Sequence, residues 1–114
     1  MEGPYTLDKG EIEKYIFAKP GAYYIVYSKD DKEVVYTVGR SNDNLKQQMF
    51  SLLPEEGFED ESKKGFYRVY IEYTPGPRPA YELECQWYHK YTPDATDVHP
   101  AKTHPSWICP VCKK

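Results

Sequence analysis

The chain has 114 residues, a formal net charge of −3 and a charged fraction of 29%. This length suits one domain with a modest core and is short for two. No apolar run approaches the roughly 20 residues that span a bilayer, and the first residues do not resemble a signal peptide, so we expect a cytoplasmic protein without a membrane partner. The negative charge argues mildly against nucleic-acid binding, but five of the eighteen acidic residues lie between Pro54 and Ser62, and the remainder is slightly basic.

The first half of the chain predicts a helix, a β-hairpin and a second helix. A capping-box pattern indicates a short helix over residues 8–17. The aromatic and β-branched runs 22–27 and 33–38 are joined by a polar turn, which is typical of a hairpin. Apolar residues then recur at helical spacing over 45–53, and we expect the N-cap of that helix within residues 41–43.

The second half predicts one strand, one long helix and a loop-rich extension. Alternation over residues 66–73 indicates a third strand. A proline in the first turn suits a third helix over residues 79–91. Segment 92–106 is polar and rich in proline, so we expect it to need a cross-link, such as a bound metal ion, to hold its structure. The predicted fold is an α+β domain over residues 1–93, with a small three-stranded antiparallel sheet flanked by helices, and a C-terminal extension over residues 94–114.

Three cysteines and one histidine predict a metal site that joins this extension to the third helix. Cys109 and Cys112 form a Cys-x-x-Cys pair in a proline-containing turn. Cys85 and His89 are four residues apart, so they share one face of the helix. Thiolate and imidazole suit zinc, and four protein ligands make a site structural. We expect structural Zn²⁺ bound by Cys85, His89, Cys109 and Cys112.

A competing ligand set keeps Cys109 and Cys112 but adds His99 and His104, each of which directly precedes a proline. A residue before proline favours extended backbone, so both histidines should lie in loops. We favour the set with the helical pair, because thiolate is the stronger zinc ligand and the helix already aligns both side chains. The sequence leaves both sets open.

Four segments match, in this order, the signatures of a known family. They are Pro20-Gly21-Ala22-Tyr23, Tyr36-Thr37-Val38-Gly39-Arg40-Ser41, Leu45-Lys46-Gln47-Gln48-Met49 and Ala80-Tyr81-Glu82-Leu83-Glu84, the last of which leads to Pro93. From about residue 8 to residue 93 the chain resembles the GIY-YIG nuclease domain family. The resemblance implies the same small antiparallel sheet flanked by helices.

The resemblance also implies hydrolysis of phosphodiesters in nucleic acid, DNA in preference to RNA, with one divalent cation such as Mg²⁺ or Mn²⁺. It assigns Glu84 as the cation ligand and Tyr23 as the tyrosine beside the attacking water. It assigns Tyr36 as the second tyrosine if a one-residue bulge presents it, because Thr37 occupies the aligned position. A hard cation prefers oxygen ligands and keeps waters, so one carboxylate and the phosphate suffice as an anchor.

One departure bears directly on catalysis. Gln48 stands where the family has a charge-stabilising arginine, and Arg40 is the nearby substitute. The loss of one such donor typically costs about 3–4 kcal/mol, or a hundredfold to a thousandfold in rate, so the nuclease activity would be weak or absent without a replacement. The alternative function is a non-catalytic module that binds nucleic acid or protein through an aromatic sheet face and basic residues. Those basic residues are Arg40, Lys46, Arg68 and Arg78.

Overall fold

The computed structural model describes residues 2–6, 9–55, 67–92 and 99–113. In chain order the elements are β1 (Glu2–Thr6), α1 (Lys9–Tyr15), β2 (Gly21–Lys29), β3 (Lys32–Ser41), α2 (Leu45–Glu55), β4 (Arg68–Tyr73) and α3 (Pro77–Tyr91). The start of the predicted capping box and most of the acidic stretch fall outside the described residues. None of the helices in these ranges is long and apolar enough to cross a membrane.

The four strands form one antiparallel sheet in the order β1-β4-β2-β3. The predicted hairpin, the strand before α3 and the three helices are confirmed. The predicted count of three strands is wrong, because β1 adds a fourth strand at the β4 edge. Its sequence contains Gly3 and Pro4 and shows no alternation, and its partners on β4 lie more than 60 positions later. Local sequence pattern therefore carried no signal for β1.

Helices cover both faces of the sheet, because successive side chains of a strand point to opposite sides. Tyr23 and Ile25 of β2 face α1 and α2, where Ile12, Leu45 and Met49 are fully buried. On the opposite face, neighbouring side chains of β2 pack against Trp87 of α3; they are Ala22, Tyr24 and Val26. The central aromatic residues of the sheet are therefore core residues.

The N-cap of α2 is Asn44, one residue beyond the predicted segment 41–43. Its Oδ1 accepts a hydrogen bond from the backbone N–H of Gln47 at 3.0 Å, which is the usual geometry of an N-cap side chain. Ser41 fixes the backbone just before the helix, because its hydroxyl accepts a hydrogen bond from the Asn44 N–H at 2.8 Å. The loop between β3 and α2 is thus fixed by side-chain contacts to backbone.

The β2–β3 hairpin contains a one-residue irregularity at Tyr36. The neighbouring residues Ile25 and Val26 of β2 face Thr37 and Val35 of β3, respectively, so Tyr36 is an extra residue on β3. A bulge of this kind re-aims the side chain of the extra residue. The Tyr36 ring packs against the core cluster under α1 and α2.

The C-terminal extension packs directly on α3. Tyr81 and Cys85 of the helix form a buried cluster with Trp107 and Cys109 of the extension. The Tyr81 and Trp107 rings lie 5.5 Å apart between centroids. Among the described residues, this cluster anchors the extension to the helix that also carries Glu84.

Candidate functional site

Tyr23 and Gly39 face each other across β2 and β3, and the tyrosine ring lies over the glycine. A Cβ at Gly39 would collide with the Tyr23 ring and hydroxyl. The Tyr23 hydroxyl accepts a hydrogen bond from Nε2 of Gln48 on α2 at 3.3 Å. The absence of a side chain at Gly39 therefore lets Tyr23 place its hydroxyl in a cleft beside the end of the hairpin.

Replacement of Gly39 by alanine should destabilise the protein by about 1–3 kcal/mol, the usual cost of overpacking a filled site. Tyr23 is only 5% exposed, so its ring has little room to move away. Urea unfolding followed by circular dichroism would measure the change. Gly76→Ala is a matched control, because a Cβ there meets no atom within 4 Å. Equal stability of the two variants would contradict this account of Gly39.

A cleft of about 650 Å³ lies at this end of the sheet. Its walls include three of the four predicted catalytic residues, Tyr23, Arg40 and Glu84, together with Gln48. Tyr36 is not among the described lining residues. Its ring instead lies 5.4 Å from that of Tyr67. The structure thus brings one tyrosine, the arginine and the carboxylate together.

Arg40 and Glu84 form an ion pair within the cleft. Nη1 of Arg40 donates to Oε1 of Glu84 at 2.5 Å, and each side chain is only 11% exposed. Burial raises the pKa of Glu84, while the hydrogen bond and charge of Arg40 act in the opposite direction. None of the hydrogen bonds between described residues uses the second oxygen, Oε2.

Arg40 also binds the loops on either side of the cleft. Its Nε donates to Oδ1 of Asn42 at 3.0 Å, and its Nη2 donates to the carbonyl of Ala101 at 2.7 Å and to Oγ1 of Thr103 at 2.9 Å. The guanidinium lies 5.1 Å from the Tyr81 ring centroid and 5.9 Å from that of Trp107. Through these hydrogen bonds and ring contacts, Arg40 cross-links β3, α3 and the C-terminal extension.

A second cluster, of histidine and cysteine side chains, lies beside the C-terminal end of α3. The ligand atoms of His89, His99, Cys109 and Cys112 all lie within 4.8 Å of one another. Nε2 of His99 is 3.5 Å from Sγ of Cys112. A tetrahedral zinc ion with ordinary bond lengths holds sulfur and nitrogen ligands about 3.6 Å apart. The group therefore has the donor set and spacing of a four-ligand metal site.

The histidines of this group are oriented as metal ligands are. Nε2 of His89 is buried and has no hydrogen-bond partner among the described residues, which is costly for a polar atom unless a ligand is bound. The Nδ1 of His99 lies 3.0 Å from the carbonyl of Pro100, so an Nδ1–H can donate there. That contact leaves the Nε2 lone pair directed at the cluster, the usual support of a metal-bound imidazole.

The sulfur atoms are unequal. Burial raises the pKa of Cys109, but backbone N–H groups of Cys112 and Val111 and the His99 side chain outweigh it, and the pKa falls to about 5. Burial raises the pKa of Cys85 to about 12. These opposite shifts favour the thiolate of Cys109 over that of Cys85, and thiolate is the form that binds metal.

Three of the four predicted zinc ligands, His89, Cys109 and Cys112, lie together in this group. His99, from the competing set, is the fourth member of the compact group, whereas Cys85 contacts Cys109 within the buried cluster of α3 and the extension. The Nδ1 of His104 is bonded to Ser106 instead. The sequence carried no signal that separates His99 from His104, because each directly precedes a proline.

Solved structures provide a fold comparison. Three of them are crystal structures of the GIY-YIG N-terminal endonuclease domain of UvrC from Thermotoga maritima, two tyrosine-to-phenylalanine point mutants and one asparagine-to-alanine point mutant, each bound to its catalytic divalent cation. They match with TM-scores of 0.57, 0.57 and 0.56 at 21%, 20% and 20% identity. Each match covers 80% of this chain and 100% of the other.

No protein-family model matches the chain, and no curated protein matches it. The structural match is therefore the comparison that bears on the chain, and at this identity it establishes the architecture. The predicted resemblance is confirmed at that level, with a four-stranded sheet. The chain has the fold of the GIY-YIG endonuclease domain of UvrC.

Proposed function

We propose that the protein is a GIY-YIG-like endonuclease that hydrolyses phosphodiesters in nucleic acid with one divalent cation, Mg²⁺ or Mn²⁺, anchored at Glu84. The observation that supports the proposal is that Tyr23, Arg40 and Glu84 line a single cleft on this fold. DNA is the preferred substrate class, because the structural relatives are endonuclease domains of UvrC. A carboxylate can hold the cation, and a tyrosine hydroxyl can orient the attacking water.

The cleft suits a hard cation, because Oε2 of Glu84 offers an oxygen ligand and the open space admits waters and a phosphate. A bound divalent cation would stabilise charge on the phosphate and lower the pKa of a bound water. The Tyr23 hydroxyl, held by Gln48, would orient the attacking water by hydrogen bonding.

The contacts of Arg40 favour a positioning role. Its guanidinium holds the Glu84 carboxylate in place and fixes the segment of Ala101 to Thr103 against the cleft. An arginine with so many partners would have to break several hydrogen bonds to reach a phosphate. We therefore propose that Arg40 orients the cation ligand, and that the missing phosphate contact comes from another residue.

We also propose that the second cluster binds structural zinc through His89, His99, Cys109 and Cys112. Two thiolates and two imidazoles are a common closed zinc set, and the unpartnered Nε2 of His89 supports a bound ion. None of the three cysteines forms a disulfide, which suits the reducing cytoplasm, where we place the protein. The ion would fix the extension of residues 94–114 to the domain of residues 1–93.

One observation favours a second candidate function, a non-catalytic nucleic-acid- or protein-binding module. The Arg40 guanidinium already neutralises Glu84, so the carboxylate has a partner without a metal ion. In that case binding would involve the cleft, because helices cover the aromatic residues at the centre of the sheet. The predicted contributions of Lys46, Arg68 and Arg78 would then be peripheral.

The test is cleavage of supercoiled plasmid, single-stranded DNA and RNA by protein purified without chelator, with Mg²⁺ or Mn²⁺ added or omitted. The expected result is slow, cation-dependent nicking of DNA. Binding of the same substrates is measured in parallel. Absence of cleavage under every condition would overturn the enzyme proposal, and retained binding would then support the non-catalytic module.

A further inference from the structure

We propose that Lys102, carried into the cleft by the C-terminal extension, is the residue that binds the substrate phosphate. The inference rests on the proposed nucleic-acid-binding role of the cleft. It assigns to the extension, which lies outside the matched signature segments, a direct part in that site.

The charges of the cleft leave one cation for a phosphate. The described lining contains two acidic and two basic side chains, Asp43, Glu84, Arg40 and Lys102. Arg40 is paired with Glu84, and its side chain is only 11% exposed. Lys102 is exposed and makes no ion pair within the described part of the chain. Its ammonium group is therefore available to a polyanion, whereas the guanidinium is not.

The backbone at Lys102 is held in place on both sides. The carbonyl of Ala101 and the hydroxyl of Thr103 both accept hydrogen bonds from Nη2 of Arg40. Nδ2 of Asn42 also donates to the Thr103 hydroxyl at 3.0 Å. A fixed backbone with a long, unpaired side chain lowers the entropy cost of binding, because only the side chain must become ordered.

The same segment borders the candidate metal group. Lys102 lines a second hollow together with His89, His99 and Cys112. Segment 99–103 is thus placed by His99 at one end and by Arg40 at the other, and its lysine lines both the cleft and this hollow. This placement supplies the positive charge that Gln48 does not offer. Lysine is an effective phosphate ligand, although it acts as a point charge and does not form the bidentate hydrogen bonds of an arginine.

The experiment measures binding of a fluorescein-labelled DNA duplex over a series of salt concentrations without added divalent cation. Lys102→Ala should weaken binding roughly fivefold at low salt, the upper range for an exposed charge pair. It should also reduce the slope of log affinity against log salt by about 0.9, the loss of one phosphate contact. Lys102→Arg should restore the slope. Lys90→Ala, at an exposed lysine on α3, is the matched control and should change neither quantity.

The outcomes separate this inference from the proposed activity. Wild-type affinity and slope in Lys102→Ala would overturn it, and so would equal losses in Lys102→Ala and Lys90→Ala, or no binding of DNA by the wild type. A Lys102-specific loss supports it whether or not the protein cleaves DNA. Absence of cleavage with a Lys102-specific loss of binding would reject the enzyme proposal alone.

Discussion

Replacement of His99 by alanine is expected to lower the zinc content of the purified protein from about one ion per chain to near zero, because a closed site needs all four ligands for tight binding. His99 lies within 4.8 Å of the other three ligand atoms, and its Nδ1 contact with Pro100 fixes the ring. Elemental analysis of protein purified without added metal would measure this content. His104→Ala is a matched control that should retain the ion, because its Nδ1 is engaged with Ser106.

Cys85→Ala decides between the two ligand sets. If the group with His99 is correct, this variant keeps about one zinc ion per chain. All four ligands of that group, His89, His99, Cys109 and Cys112, remain in place. If the set with Cys85 is correct, Cys85→Ala loses zinc and His99→Ala keeps it. Loss of zinc in neither variant, or no zinc in the wild type, would reject both sets.

Loss of the ion should also destabilise the protein, because metal binding and folding of the extension are coupled. Structural zinc contributes about 10–16 kcal/mol to the folding of zinc-finger peptides, which is as large as the whole stability of a typical domain. Even a fraction of that energy would lower the unfolding midpoint of His99→Ala by roughly 10 °C or more, at about 4–8 °C per kcal/mol. Equal unfolding midpoints of His99→Ala and His104→Ala in differential scanning calorimetry would contradict a structural role for the ion.

The fold was largely predictable, because most of its elements are specified by local patterns. The runs that form β2 and β3 are strongly β-forming, and the prolines in the first turn of α3 mark its start. β1 was missed because its stability comes from pairing with β4 rather than from its own five residues. Strand pairing over such a separation is a tertiary effect that no local window contains.

The site was less predictable for the same reason. The spacing of Cys85 and His89 correctly indicates a shared helix face, but it does not say which neighbour the thiol meets. In the fold Cys85 is fully buried beside Tyr81 and Trp107, whereas His99 arrives from a loop. The contacts of Arg40 with the extension likewise join segments more than 60 residues apart. Local motifs predicted the types of residue in the site, but which of them contact one another is determined by the fold.

Glu84→Gln is expected to reduce cation-dependent cleavage by about a hundredfold to a thousandfold, the usual cost of about 3–4 kcal/mol for one lost electrostatic contact to the transition state. Glutamine keeps the shape and a carbonyl oxygen for the Arg40 hydrogen bond, so the variant removes the charge and spares the packing. Alanine would instead leave the largely buried guanidinium without its counter-charge and risk unfolding. Initial rates of plasmid nicking would measure the effect, and circular dichroism would verify the fold.

Glu82→Gln is the matched control on the same helix. Glu82 pairs with Arg78 at the exposed surface, 3.6 Å away, so its loss should leave the nicking rate unchanged. The pH dependence gives a second readout, because only the ionised carboxylate binds a cation. Burial raises the pKa of Glu84, so wild-type cleavage should decline with falling pH at a higher pH than expected for an exposed glutamate. Equal rates for wild type and Glu84→Gln across this range would show that the carboxylate has no part in cleavage.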